Sequence, residues 1–155
     1  MPRRFNFKLD KVLDYREQLE EQAKAALARA QAARDAQAEK LDELEARLAS
    51  HLAAETESRE SANDMWLWRQ YKDALSQDIS VARVDLNSLE LKLQRSRTEA
   101  VERSKDKKLL EKLKQTQAKR HHDQENAREE KENDEMSTIR FEPHDHSGPA
   151  QPRFP

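Results

Sequence analysis

The sequence predicts an all-α protein: a long antiparallel two-helix coiled-coil hairpin with a disordered C-terminal tail. Three observations predict it. Gly148 is the only glycine and the prolines are Pro2, Pro143, Pro149, Pro152 and Pro155, so nothing between Arg3 and Glu142 obliges the backbone to leave a helix. Apolar residues recur in steps of three and four along two separate stretches, the narrow stripe that a coiled-coil seam requires. Between those stretches lies a segment with no large apolar residue. Charged residues make up 39% of the chain and hydrophobic ones 35%, a balance that suits coiled coil or disorder, and the periodicity decides for the coiled coil.

Helix one is expected over about residues 5–57. The opening Arg3-Arg4-Phe5-Asn6-Phe7-Lys8-Leu9 alternates polar and apolar residues, a short extended lead-in before helical spacing takes over. Leu9, Val12, Leu13, Leu19, Ala23, Leu27, Ala30, Ala33, Leu41, Leu44, Leu48 and Leu52 then form one stripe. Its flaws are Arg16, Arg34 and Gln37, polar residues on or beside the seam. Its middle, Ala23 to Ala38, is small, which favours the helix and lets a partner helix approach closely.

The bend is expected at about residues 58–63. Glu55 to Asp64 is rich in side chains that compete for backbone hydrogen bonds. Ser61 with Asp64 three positions later resembles a capping box, and Asn63 is an alternative N-cap. Helix two is expected over about 64–140, with Trp68, Tyr71, Leu75, Ile79, Ala82, Leu86, Leu89, Leu93, Ser96 and Ala100 on its seam and Leu110 and Leu113 extending it. Pairing Leu9 with Leu113 centres the bend on Ser61, inside the segment chosen from composition. The hairpin thus spans 1–142. Beyond Leu113, residues 114 to 135 hold only Ala118 and Ala127 as apolar members, an overhang with little to bury. Residues 143–155 carry four prolines and the glycine and are expected to be disordered.

Composition excludes several functional classes. Twenty-nine Lys and Arg face 31 Asp and Glu, without the basic bias of a nucleic-acid binder. No run approaches the roughly 18 apolar residues of a membrane span, and there is no signal-peptide core, so direct membrane insertion is not expected. There is no cysteine, which removes disulfides and thiolate metal sites. A two-helix coil offers no concave, water-excluding pocket for catalysis, so no enzyme and no cofactor is expected. The histidines do not change this. His121 and His122 point about 100° apart on a helix and read as solvated, and His144 and His146 flank Asp145 in the tail as a weak metal-like pattern.

The features that point to function are surfaces. Met65-Trp66-Leu67-Trp68, followed by Tyr71 and Leu75, gathers both tryptophans just after the bend. Four consecutive apolar residues point round the whole helix, so Trp68, Tyr71 and Leu75 are expected to face helix one, leaving Trp66 and Leu67 outside for docking. Charge is also blocked. Residues 102 to 120 hold eight Lys or Arg against three acids, and residues 123 to 135 hold seven acids against two bases. With Arg3, Arg4, Lys8 and Lys11, the basic block, including Lys107 and Lys108, makes the open end of the hairpin a candidate for an acidic socket.

The run Phe5-x-Phe7-x-Leu9-x-x-Val12-Leu13-x-x-Arg16, followed by Glu20-Glu21, resembles the N-terminus of the flagellar export FliJ family, as do the length, the bend, the aromatics after it and the charged second helix. The resemblance covers residues 3 to 140. It implies a cytoplasmic component of the flagellar type III export apparatus, peripheral to the cell membrane, with a coil that looks like the stalk of rotary ATPases. It implies two partners: a hexameric export ATPase (FliI) whose ring seats the stalk, and the membrane export gate protein (FlhA). Export chaperones are further candidates. By the resemblance, Tyr71 and Leu75 belong to a gate-binding face with Leu44 and Leu48 across from them. Arg3, Arg4, Lys8, Lys11, Lys107 and Lys108 would meet the ring. Two alternatives stay open: a self-associating structural coiled coil or scaffold, and the equivalent stalk of a virulence type III system.

Overall fold

The computed structural model describes residues 2–141, and the tail expected to be disordered, with His144, Asp145 and His146, lies outside the described residues. Helix α1 runs Asp10–Ala53 and helix α2 runs Ala62–Arg140, joined by a 3₁₀ segment Glu55–Glu60. Among the described residues there is no strand. At ~1.5 Å per residue, α1 is about 66 Å of helix.

The helix termini follow local chemistry. α1 starts at Asp10 rather than near residue 5, with the Leu13 amide bonding back to the Leu9 carbonyl at 2.8 Å and an acidic residue in the first turn, where the helix dipole favours it. It ends at Ala53. The Ala54 amide still reaches Ser50 O at 3.2 Å, and the tighter 3₁₀ segment follows, with the Glu57 amide on Ala54 O at 3.2 Å. Ser61 then turns to an extended conformation, φ −142° and ψ 156°. Its Oγ accepts the Asp64 amide at 3.1 Å and its carbonyl accepts the Met65 amide at 3.1 Å. Ser61, not Asn63, is the N-cap of α2. The chain reverses here without glycine or proline because a capping side chain supplies what the first turn of α2 lacks.

Two compact units divide the chain. One comprises Leu9–Leu110, the bend with the helices on either side of it. In it α1 and α2 pair antiparallel: Arg16 contacts Asp106, Arg34 contacts Glu90, Gln37 contacts Ala82, Glu45 contacts Arg83 and His51 contacts Trp68. Leu13, Ala23 and Leu41 on α1 are buried, as are Trp68, Leu75, Ile79, Ala82, Leu93 and Ala100 on α2. Near the bend, Leu41, Ile79 and Ala82 form a core against which Leu44, Leu48 and Leu86 pack.

The residues that looked like flaws in the seam are cross-links. Arg16 Nη1 donates to Asp106 Oδ2 at 3.3 Å, Arg34 pairs with Glu90 at 3.5 Å and with Asp35 at 3.2 Å, and Gln37 Nε2 donates to the Ala82 carbonyl at 3.2 Å. A further member was not anticipated. Glu20 takes the buried seam position in place of the half-buried Leu19, and its carboxylate accepts Lys24 at 2.8 Å and Lys107 at 3.2 Å. Among the described residues no buried side-chain polar atom lacks a partner.

The other unit comprises residues 1–8 with the α2 segment from Glu111 onward. Its anchor is Phe7, only 3% exposed, with Lys114 Nζ 5.9 Å from its ring centre. Phe5 meets the His121 ring at 5.6 Å, so His121 is a packing partner and not the solvated histidine expected. Leu9 and Leu113, expected to face each other, are both exposed and belong to different units. From residue 126 to 141 every side chain is exposed, and i,i+4 bonds such as Arg128 to Glu132 at 3.0 Å support the helix locally.

Candidate protein-docking surfaces

Where α1 and α2 meet at the bend, one tryptophan is locked and the other is left outside. Trp68 Nε1 donates to the His51 carbonyl at 2.9 Å, and His51 Nε2 lies 2.8 Å from the Trp68 carbonyl. A carbonyl only accepts, so Nε2 carries the proton. The two rings stack at 4.9 Å with 18° between their planes, and Tyr71 sets its edge on His51 at 4.7 Å. Lys72 Nζ sits 5.8 Å from the Trp68 ring centre. This clasp spans both helices and satisfies its own polar atoms. His51 escaped the sequence reading because a search for apolar seam residues passes over a histidine, even between Ser50 and Leu52. Its signal was position, a seam step after Leu44 and Leu48.

Trp66, two residues away, points about 200° from Trp68 around α2. It is 57% exposed where Trp68 is 7% exposed. Leu67, Tyr71 and Leu52 are also exposed, while Met65 is half-buried. Leu67 and Tyr71 are one turn apart and share a face. Beside Tyr71 a shallow groove of about 470 Å³ runs along Ala46, Arg47, Ser50 and His51, and beside Leu67 another of about 340 Å³ is lined by His51, Glu57, Asp64 and Trp68. The residues expected around the bend thus divide in two. Leu44, Leu48, Trp68 and Leu75 belong to the helix–helix packing, while Trp66, Leu67 and Tyr71 present apolar surface to solvent beside that packing.

The basic residues divide as well. Arg3, Arg4 and Lys8 are exposed in the unit that holds the lead-in, and Lys11 and Lys108 are exposed in the unit around the bend. Lys107, expected on the same docking surface, is turned inward: its ammonium is one of the two holding Glu20. The ion pair forms because Glu20 is on the seam directly across from it, where an unpaired carboxylate would be costly. The hydrogen bond from Lys24, with that from Lys107 and the charge of both, outweighs desolvation and holds the Glu20 carboxyl down to about 2. Arg34, bonded to Asp35 and facing Glu90, is pushed above the ordinary arginine value. Among the described residues no three His, Asp or Glu side chains converge on a metal-sized site, and no helix is long and apolar enough to cross a membrane.

A family model described as the flagellar FliJ protein matches residues 5–144, which takes in the lead-in, both helices and the bend. The chain belongs to the FliJ family. No curated protein and no solved structure matches it. As a FliJ-type protein it is a flagellar-export protein, and its two long helices are the coiled coil that the heptad spacing predicts. The Phe5-x-Phe7 pattern that carried the resemblance has a structural role here: it is the segment that packs on α2 through Phe7 and Phe5.

Proposed function

We propose that this chain is a non-enzymatic stalk and coupling component of flagellar type III export, one that holds the export ATPase and the membrane export gate through separate surfaces. The observation that carries this reading is the pair of tryptophans at the bend, one clasped between the helices and the other in solvent. A tryptophan kept exposed on a support that costs little further ordering has the character of a binding hot spot. In this reading Trp66, Leu67 and Tyr71 receive the gate protein, and Leu44, Leu48, Trp68 and Leu75 keep that surface rigid. The exposed Arg3, Arg4, Lys8, Lys11 and Lys108 meet acidic groups of the ATPase ring, where charge steers encounter and fixes orientation. Membrane association is then peripheral, through the gate.

The test has two arms on the full chain. Trp66→Ala with Leu67→Ala is expected to weaken binding to the gate protein's soluble domain by roughly tenfold or more, with helicity unchanged. Loss of helicity in step with binding would assign these residues to packing and remove the gate surface. Arg3→Glu, Arg4→Glu, Lys8→Glu and Lys11→Glu together are expected to lower stimulation of the export ATPase, most strongly at low salt. Stimulation equal to wild type at every ionic strength sinks the ring contact.

A further inference from the structure

The unit around the bend carries a second apolar stripe that the seam does not use. Val81, Val84, Ser88, Leu91, Arg95 and Thr98 advance along α2 in steps of three, four, three, four and three, with Val101 beside them. Three aliphatics thus share the stripe with two hydroxyl side chains and one arginine. Each lies two residues after a seam position such as Ile79, Ala82, Leu86, Leu89 or Ser96, and two residues are about 200° of helix. The stripe therefore faces away from α1. Val84 is 66% exposed and Leu91 is 63% exposed, with Val81 and Val101 also exposed. Single exposed aliphatics are ordinary on a soluble protein. A run at heptad spacing is the pattern that a further helix covers.

We propose that this face is a self-association surface, covered by the same face of a second copy of the chain running antiparallel. The stripe is its own complement. With a two-fold axis level with residue 86, Val81 falls opposite Leu91 and Val84 opposite Ser88, each twice. Ala74 falls opposite Thr98, where the surface of α2 is furrowed over about 450 Å³ between Leu91, Arg95, Thr98 and Glu102. A methyl group there lets the backbones close. The flanks agree in charge. Asp78 of one copy falls opposite Lys92 of the other, again twice, and both residues are exposed with no ion-pair partner among the described residues. Two kinds of contact oppose the pairing: Asp85 meets Asp85 of the second copy near the axis, and Arg95 falls opposite Gln77, twice, where an apolar pair would otherwise stand. With few apolar residues per copy and one like-charge contact, the dimer is weak, about micromolar or weaker.

Sedimentation equilibrium of the full-length chain over a wide concentration range tests this. A reversible monomer–dimer equilibrium is expected. Val84→Glu with Leu91→Glu should raise its dissociation constant by roughly tenfold or more, with circular dichroism and the unfolding midpoint unchanged, because both side chains stand in solvent in the monomer. Asp85→Asn should tighten it, more so at low salt, because it removes the like-charge contact near the axis. A chain that stays monomeric to its solubility limit overturns the proposal, as does a dimer indifferent to the glutamates or one lost only with Trp66→Ala. Capture of a foreign amphipathic helix on this face, without self-association, also overturns it.

Discussion

Within the unit Leu9–Leu110, the two halves of one coiled coil are held by different forces. Toward the bend the seam is apolar: Leu41, Ile79 and Ala82 are buried together, Leu44, Leu48 and Leu86 close over them, and the Trp68–His51 clasp finishes the end. Away from the bend the seam buries Leu13 and Leu93 singly rather than as a cluster. Between them and small side chains such as Ala23 and Ala100 runs a series of polar bridges, Arg34 to Glu90, Glu20 to Lys107 and Arg16 to Asp106. Burial of apolar surface is non-directional and supplies most of the stability. Seam ion pairs add little net energy, but each is satisfied in one register only, as a buried polar residue is in other coiled coils. The near half holds the hairpin shut, and the far half says which residue meets which.

The comparison is broken most directly by truncation in the near half. Ile79→Ala should cost about 2–5 kcal/mol, since its side chain is 4% exposed in the core it forms with Leu41 and Ala82. The matching truncation in the far half, Arg16→Ala, removes an ion pair whose partners are about a third to a half exposed, and should cost within about 1 kcal/mol. Urea unfolding followed by circular dichroism compares them. Equal losses would show that the halves do not differ as described.

That difference explains what could be read from the sequence and what could not. The near half was legible because Leu41, Leu44, Leu48, Leu75 and Ile79 are large, apolar and spaced for a seam, and because Ser61 with Asp64 looked like a cap. The register of the far half was not legible. A search for apolar side chains stepped onto Leu19 and passed over Glu20, whose burial depends on two lysines, one of them 87 residues away. Lys107 was assigned to the surface for the same reason, since a charge looks solvated until its partner is known. Phe7 was assigned to the lead-in and Leu9 to the seam, where the order of burial is the reverse. Trp66 and Trp68 were divided correctly by helical geometry alone, but His51, which locks one of them, is polar and so does not stand out on an apolar stripe.

Glu20 sharpens the comparison through pH. Its carboxyl lies at about 2 in the folded chain, held there by Lys24 and Lys107, against an ordinary value of 4.5. A depressed acid stabilises the fold in full above its unfolded value, and that contribution falls away as pH drops from about 4.5 toward about 2. Glu20→Gln cannot ionise, so its stability should lack this slope. The wild type minus variant difference is therefore expected to be constant above pH 5 and to shrink through that acid window. Other carboxylates titrate in both proteins and cancel in the difference. A difference that is flat through the acid range would mean the carboxylate is not engaged by the two lysines.

The smallest effect belongs to an ion pair in the near half. Arg83 Nη2 donates to Glu45 Oε1 at 3.1 Å, as short a contact as the seam bridges make, yet both side chains are well exposed, at 63% and 43%. Water screens such a pair, and ordering two long side chains offsets most of its attraction, so Arg83→Ala should cost about 0.2–1 kcal/mol and less as salt is added. Arg34 offers the contrast, because at 37% exposure it bonds Asp35 beside it on α1 and pairs with Glu90 across the seam. Arg34→Ala should cost more than Arg83→Ala because it loses two carboxylate partners rather than one. It should give up part of that cost in high salt, since Glu90 is itself 47% exposed and water reaches it. A double-mutant cycle with Glu45 and with Glu90 isolates the two couplings. If Arg34→Ala costs no more than Arg83→Ala at any ionic strength, the second carboxylate partner contributes nothing here.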